Sequence, residues 1–200
     1  MTDNPSTERS VIMTFDDGPE PVPDLEAVVA ALGAQGIKAC FFLLGEGVER
    51  HPEAARMVVQ AGHEVGNHNW HHVEMPKLSE EEILSQLRRT QEIIRQASGV
   101  TPRRCRVPFG AGWYNDKHPP LVRSAAVLGL ELIGWDLDTY DWKRPFGIRF
   151  DRVRTRFAEF VASGETRRLE LLMHVHVETA RDLPELIAFL RGLDFSFTSY

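Results

Sequence analysis

The chain has 200 residues, 42% of them apolar and 26% charged, with a formal net charge of −6 and a pI near 5.8. That length and composition suit one domain, residues 1–200, with one substantial core. Lys and Arg are scattered rather than striped, which excludes a basic footprint for nucleic acid, and no apolar stretch reaches the ~18 residues of a membrane span.

Residues 1–10 read as a polar N-terminal arm without the apolar stretch of a signal peptide, so the expectation is a cytoplasmic protein unless a leader has been removed. Val11 to Phe15 predicts a strand and Leu25 to Leu32 a helix. Ala39 to Leu44 with Pro52 to Gln60, and His63 to Val65 with Ser79 to Gln96, repeat the pairing. Ser79 and Glu82 have capping-box spacing at the start of that last helix. Further on come strands over Arg104 to Val107 and Glu131 to Trp135, with a helix over Pro120 to Leu128 between them. Val153 to Val161 and Leu183 to Leu190 predict helices, Leu169 to Met173 and Phe195 to Phe197 strands. Seven strands alternating with helices predict a parallel α/β fold. Polar residues recur at the C-terminal ends of different strands, which favours a barrel over an open sheet. The two cysteines, Cys40 and Cys105, each sit in an apolar run and read as buried thiols.

Two segments stand out chemically. The first strand ends in Thr14-Phe15-Asp16-Asp17-Gly18-Pro19, two adjacent carboxylates that can both turn toward one pocket, although taken alone the segment reads first as a turn. The third strand runs into His68-Asn69-Trp70-His71-His72. On a helical turn His68 and His72 would share a face, as suits a divalent metal, and two imidazoles with one carboxylate leave positions open for water and substrate. His71 reads as a surface or supporting residue.

Three more blocks follow: Arg106-Val107-Pro108-Phe109-Gly110, Asp138-Thr139-Tyr140-Asp141-Trp142 and Leu172-Met173-His174. The five blocks, in this order and over nearly the whole chain, resemble the polysaccharide deacetylases, the NodB-homology group that forms carbohydrate esterase family 4. The resemblance implies a distorted (β/α)7 barrel. It also implies a metal-dependent hydrolase that removes acetyl groups from N-acetylated sugars, of chitooligosaccharide or peptidoglycan N-acetylglucosamine type. Asp17, His68 and His72 match the metal ligands, with zinc expected and cobalt, nickel or another divalent transition metal compatible. Asp16 matches the general base and Arg106 the cation that pairs with it. The backbone N–H of Phe109 matches the oxyanion donor, His174 the general acid and Asp141 the carboxylate that orients it. Trp142 and Leu172 match the apolar wall that receives the acetyl methyl.

Some positions depart from the family's pattern. Asn69 stands where Ser or Thr is more usual, Phe109 where Tyr is common, and Val175 where an acidic residue is frequent. His176, two residues past His174 and on the same predicted strand face, is a substitute acid or a supporting partner. Trp113 and Tyr114 lie in a loop of glycines and aromatics that either stacks sugar or caps core, and Trp70 is open in the same way. Two other readings stand beside the deacetylase: a metal hydrolase of a different ester or amide, and a non-catalytic glycan-binding relative. The oligomeric state is left open.

Overall fold

The computed structural model describes residues 9–114 and 116–200. Its elements in chain order are β1 (Arg9–Gly18), α1 (Val22–Ala34), β2 (Ala39–Leu43), α2 (Gly45–Arg50), α3 (Pro52–Gln60), β3 (Glu64–Asn67), α4 (Glu80–Ser98), β4 (Arg104–Cys105), α5 (Pro119–Val127), β5 (Glu131–Leu132), β6 (Leu137–Asp138), α6 (Phe150–Ser163), β7 (Arg168–His174), α7 (Val177–Gly192) and β8 (Phe195–Phe197). The strands pair in the order β5-β4-β3-β2-β1-β7-β6, all parallel, with β8 added beside the start of β1. The sheet curls into an incomplete barrel whose two end strands are β5 and β6, flanked by helices. No helix among the described residues is long and apolar enough to cross a membrane.

Side-chain alternation on the strands explains the layering. Val11, Met13 and Phe15 of β1, Phe41 and Leu43 of β2, and Leu169, Leu171 and Met173 of β7 join one buried cluster with Leu25, Leu32, Leu183, Leu186 and Leu190 of the helices. The alternate residues face the barrel interior. Cys40 and Phe42 meet Ile133 and Tyr200 there, while Thr14, Asp16, Leu172 and His174 form the polar and apolar steps that climb toward the C-terminal rim. Both faces of the central strands are covered, so they read as continuous apolar runs. At Gly66 a Cβ would overlap the Phe42 ring, so only glycine lets that ring occupy the interior.

α4 starts with the expected capping box: Ser79 Oγ accepts from the Glu82 N–H at 3.3 Å and Glu82 Oε2 accepts from the Ser79 N–H at 2.8 Å. It ends at Gly99 in the left-handed region, φ 79°.

Several expectations change. Residues 1–8 of the polar arm lie outside the described residues, but Arg9 and Ser10 belong to β1, held by pairing with β8 and β7. Among the described residues there are eight strands, one more than the sequence predicts, because the two-residue β6 is too short to leave a periodic signal. β5 stops at Leu132, so Ile133 to Trp135 belong to the connection that crosses from one edge of the sheet to the other. α2 carries three buried residues, Gly45, Gly47 and Val48, too few for an apolar stripe. α7 begins six residues before the predicted Leu183 and accommodates Pro184 in its interior. β7 ends at His174, and His176 is the residue that precedes α7 rather than part of the strand.

Candidate active site

Every strand-end segment singled out above reaches one cleft of about 330 Å³ at the C-terminal rim of the barrel. It is lined by Asp16, Asp17, His68, His72, Phe109, Trp135, Asp138, Trp142, Leu172 and His174.

The pair Asp16-Asp17 reaches this cleft through an irregularity in β1. Pairing with β2 shifts register between Phe15 and Gly18, and Asp17 takes φ 67°, an uncommon conformation for a residue other than glycine. Two consecutive side chains that regular alternation would send to opposite faces thus both enter the cleft. Asn69 at φ 69°, Phe109 at φ 60° and Tyr140 at φ 55° are also left-handed. All three lie in segments that frame the site, where locally strained backbone is held by its surroundings.

Asp17 Oδ1 lies 3.1 Å from His68 Nε2 and 3.2 Å from His72 Nε2. The segment from His68 to His72 is a bent loop, not the helical turn that the four-residue spacing suggested; left-handed Asn69 reverses the chain and returns His72 beside His68. Asn69 is fixed there by its N–H on Asn67 Oδ1 at 2.8 Å and by Nδ2 donating to His71 O and Gln86 Oε1 at 3.1 and 3.0 Å. An asparagine tolerates this conformation better than most residues, which accounts for its presence.

The donor set fits a divalent ion. The His68 ring is buried and its Nδ1 lies 2.6 Å from the Arg106 carbonyl, so Nδ1 carries the hydrogen and the Nε2 lone pair points to the shared centre. Asp17 Oδ1 is buried without a hydrogen bond, and an orphaned carboxylate oxygen facing two imidazoles is costly unless a cation completes it. Burial works to raise the Asp17 carboxyl, yet the two imidazoles and the charge of His174 outweigh it and hold the group well below the usual range. Three ligand atoms, each within 4.8 Å of the others, meet here, and they are the only such metal-capable group among the described residues.

Beside this centre, Asp16 Oδ1 accepts from Arg106 Nη1 at 3.0 Å. Arg106 is fully buried. Its Nη1 also donates to Thr14 Oγ1 at 2.6 Å, and its Nε and Nη2 donate to Gly134 O at 3.1 and 2.7 Å. Gly134 lies in the β5–β6 connection, so the guanidinium both orients Asp16 and satisfies a carbonyl where the sheet is incomplete. Phe42 packs 4.5 Å from the guanidinium carbon.

On the neighbouring strand β7, His174 Nδ1 lies 2.9 Å from Asp141 Oδ1. The other oxygen of this fully buried carboxylate accepts from the His174 N–H and from Thr179 Oγ1, both at 2.8 Å. Burial pulls the His174 pKa down, but the Asp141 hydrogen bond and charge, joined by the charges of Asp16 and Asp17, push it up to about 9. His174 is therefore protonated at neutral pH, its Nε2–H free to face the cleft.

Leu172 and the half-exposed Trp142 form the apolar side, and the exposed Phe109 ring meets His72 edge-on at 4.4 Å. Two lining residues were not singled out in the sequence. Trp135 lies in what was read as a strand, and Asp138 opens the fourth block without an assigned role. Asp138 accepts from the Tyr140 N–H at 2.7 Å and from Trp142 Nε1 at 3.3 Å; the four-residue spacing to Trp142 was the available signal.

Other expectations fall elsewhere. Trp113 does not line the cleft; it packs on the cluster of Met75, Leu87 and Leu121, with Lys117 Nζ 3.2 Å from the ring centre. Tyr114 also misses the lining and stacks on Trp135 at 4.3 Å. Trp70 is buried under Arg89 and is core. His71 is on the surface, 3.2 Å from Glu46. His176 stacks on Phe146 at 4.6 Å, its ring centre 6.3 Å from that of His174.

Comparison with known proteins shows which family the chain resembles. The sequence model of the polysaccharide deacetylase family matches residues 3–132. The peptidoglycan-N-acetylglucosamine deacetylase of Listeria monocytogenes is 32% identical over 195 residues, covering 96% of this chain and 38% of the relative. The chitooligosaccharide deacetylase of a Bradyrhizobium species is 36% identical over 143 residues, 70% of this chain and 62% of that protein. Among solved structures, the family 4 carbohydrate esterase of Streptomyces lividans in complex with acetate superposes with a TM-score of 0.80 at 28% identity, covering 95% of this chain and 92% of that one. The chain thus spans about two fifths of the length of the Listeria relative. With the family's sequence model matching well over half of its residues, the chain belongs to the polysaccharide deacetylase family.

Proposed function

We propose that this chain is a divalent-metal-dependent hydrolase that removes the acetyl group from N-acetylated sugars of the N-acetylglucosamine type, as its relatives' names state for peptidoglycan and chitooligosaccharides. The observation that carries this reading is the convergence of Asp17, His68 and His72 on one point in the cleft that Asp16 and His174 also line. A zinc-type ion held by those three would act as a Lewis acid toward the acetyl carbonyl and make a water more acidic.

The chain's own groups supply the rest. Asp16, aimed by Arg106, accepts the proton of the attacking water. The backbone N–H of Phe109, at the left-handed turn after Pro108, donates to the carbonyl oxygen as it gains charge. Leu172 and Trp142 offer the acetyl methyl an apolar wall. His174, kept protonated by Asp141, gives its Nε2 proton to the departing nitrogen, which would otherwise leave as an amide anion.

Acetate release from N-acetylglucosamine oligomers tests this reading. It should stop on chelation and return with zinc, and Asp16→Asn should bind zinc normally while losing turnover. Metal-dependent acetate release from O-acetylated sugars alone would instead support an esterase. Chelator-insensitive glycan binding without acetate would support a non-catalytic relative.

A further inference from the structure

One acid inside the barrel takes no part in the chemistry above. Glu170 is the charged residue in the otherwise apolar run Leu169 to Met173 of β7. It pairs in register with Ile12 of β1, toward the barrel floor from the Thr14–Leu172 and Asp16–His174 pairs. Alternation therefore turns its side chain inward, on the same face as Leu172 and His174. Its Oε2 lies 3.9 Å from Arg106 Nη2, and Arg106 is the one cation within pairing distance of it among the described residues.

The guanidinium has room for this second carboxylate. Its Nη1 hydrogens go to Thr14 and Asp16, while Nε and one Nη2 hydrogen go to Gly134 O. The other Nη2 hydrogen of this fully buried group is left without an acceptor by those bonds. Asp16 and Glu170 thus approach the two Nη ends of one guanidinium, which fixes the plane in which Nη1 meets Asp16. Tyr200 closes the floor beneath them. Its ring packs on Cys40, Phe42 and Ile133, and Phe42 in turn lies against Arg106. Arg104 and Arg168 set their guanidinium carbons 4.1 and 5.6 Å from the Tyr200 ring centre, and Arg104 is held by Glu64 at 2.9 Å. With only 18% of the Glu170 side chain accessible, water screens the pair weakly and a contact of this length still acts. Burial raises the Glu170 carboxyl above its ordinary value, opposed by the Arg106 charge and the Tyr200 hydroxyl. An apolar residue would fill the same place without that cost, so the acid is explained by Arg106 rather than by packing.

We propose that Glu170 is a positioning residue: from the barrel floor it shares Arg106 with Asp16 and so keeps the base aimed at the water it deprotonates. The catalytic consequence rests on the deacetylase reading, whereas the sharing of Arg106 can be measured apart from it. Glu170→Gln and Glu170→Asp separate charge from size, since the first keeps the length and loses the charge and the second does the reverse. Glu170→Gln should lower kcat for acetate release from N-acetylglucosamine oligomers about 3- to 10-fold, with KM and zinc affinity unchanged. Glu170→Asp should retain most of the activity. A packing role would give the opposite order.

A second measurement needs no substrate: urea unfolding of Glu170→Gln, Asp16→Asn and the two combined, at one zinc concentration. Removing either carboxylate leaves the buried guanidinium the other. The combined variant should therefore lose about tenfold more in its folding equilibrium constant than the product of the two single losses. Glu170→Asp no more active than Glu170→Gln, an effect on KM alone, or simply multiplicative losses in the unfolding series would overturn the proposal. Failure of the deacetylase reading shows separately, as no acetate released by the unsubstituted protein, and the unfolding series then decides by itself whether Glu170 and Asp16 share Arg106.

Discussion

Asp16 and His174 are register partners on the neighbouring parallel strands β1 and β7, so the two groups proposed to move protons in opposite directions stand side by side on the inner face of the barrel. Each is aimed by a fully buried partner, Arg106 for Asp16 and Asp141 for His174. The site's polarity comes from those two partners as much as from the residues that line the cleft.

The His174–Asp141 pair predicts an alkaline limb. The folded pKa of His174, pushed up to about 9, lies above its ordinary value of 6.5. The general acid is therefore present at neutral pH and lost as pH rises toward 9. Asp141→Asn should move this limb of kcat/KM to lower pH by about one unit or more. Because the shift is upward, the pair also stabilises the fold fully below pH 6.5 and loses that contribution as pH rises through 9. The Tm difference between the unsubstituted protein and Asp141→Asn should accordingly be larger at pH 6 than at pH 9.5 (roughly the two sides of that window).

Arg106 should not tolerate replacement by lysine. One ammonium cannot reach Thr14, Asp16 and Gly134 O together, so Arg106→Lys should lower kcat by about 10- to 100-fold with KM little changed. Arg106→Met strands a buried carboxylate and a buried carbonyl, and should cost about 3–5 kcal/mol in urea unfolding.

Asn69 carries a conformational demand and three hydrogen bonds. Asn69→Gly keeps the left-handed backbone and should cost about 1 kcal/mol through the lost side-chain bonds. Asn69→Val adds the steric penalty of a β-branched residue at φ 69° and should cost about 1–2 kcal/mol more. It should also weaken zinc binding, since His68 and His72 are placed by this turn; zinc titration of the two variants separates the effects.

Much of this arrangement was legible in the chain. Alternation and apolar periodicity located the longer strands and helices, and Ser79 and Glu82 announced the start of α4. His68 and His72 could be picked out by chemistry and Asp17, rather than Asp16, as their partner only through the resemblance to the family, and the convergence of the three depends on contacts between residues as far apart as Asp17 and His72. The helical turn inferred for His68 to His72 failed because spacing says nothing of a single left-handed residue. Residues such as Leu137 and Asp138 in β6 follow no period over two positions and are strand only because β7 pairs with them. Trp113 and Tyr114 show the same limit: composition marks a loop of rings but not the direction in which each ring turns.

On the proposed function Asp17, His68 and His72 together hold one divalent ion. Calorimetric titration of zinc into chelator-treated protein measures this directly. One site per chain is predicted, lost in Asp17→Ala and in His68→Ala combined with His72→Ala, while the fold remains intact by circular dichroism. Undiminished zinc binding in both variants would contradict it.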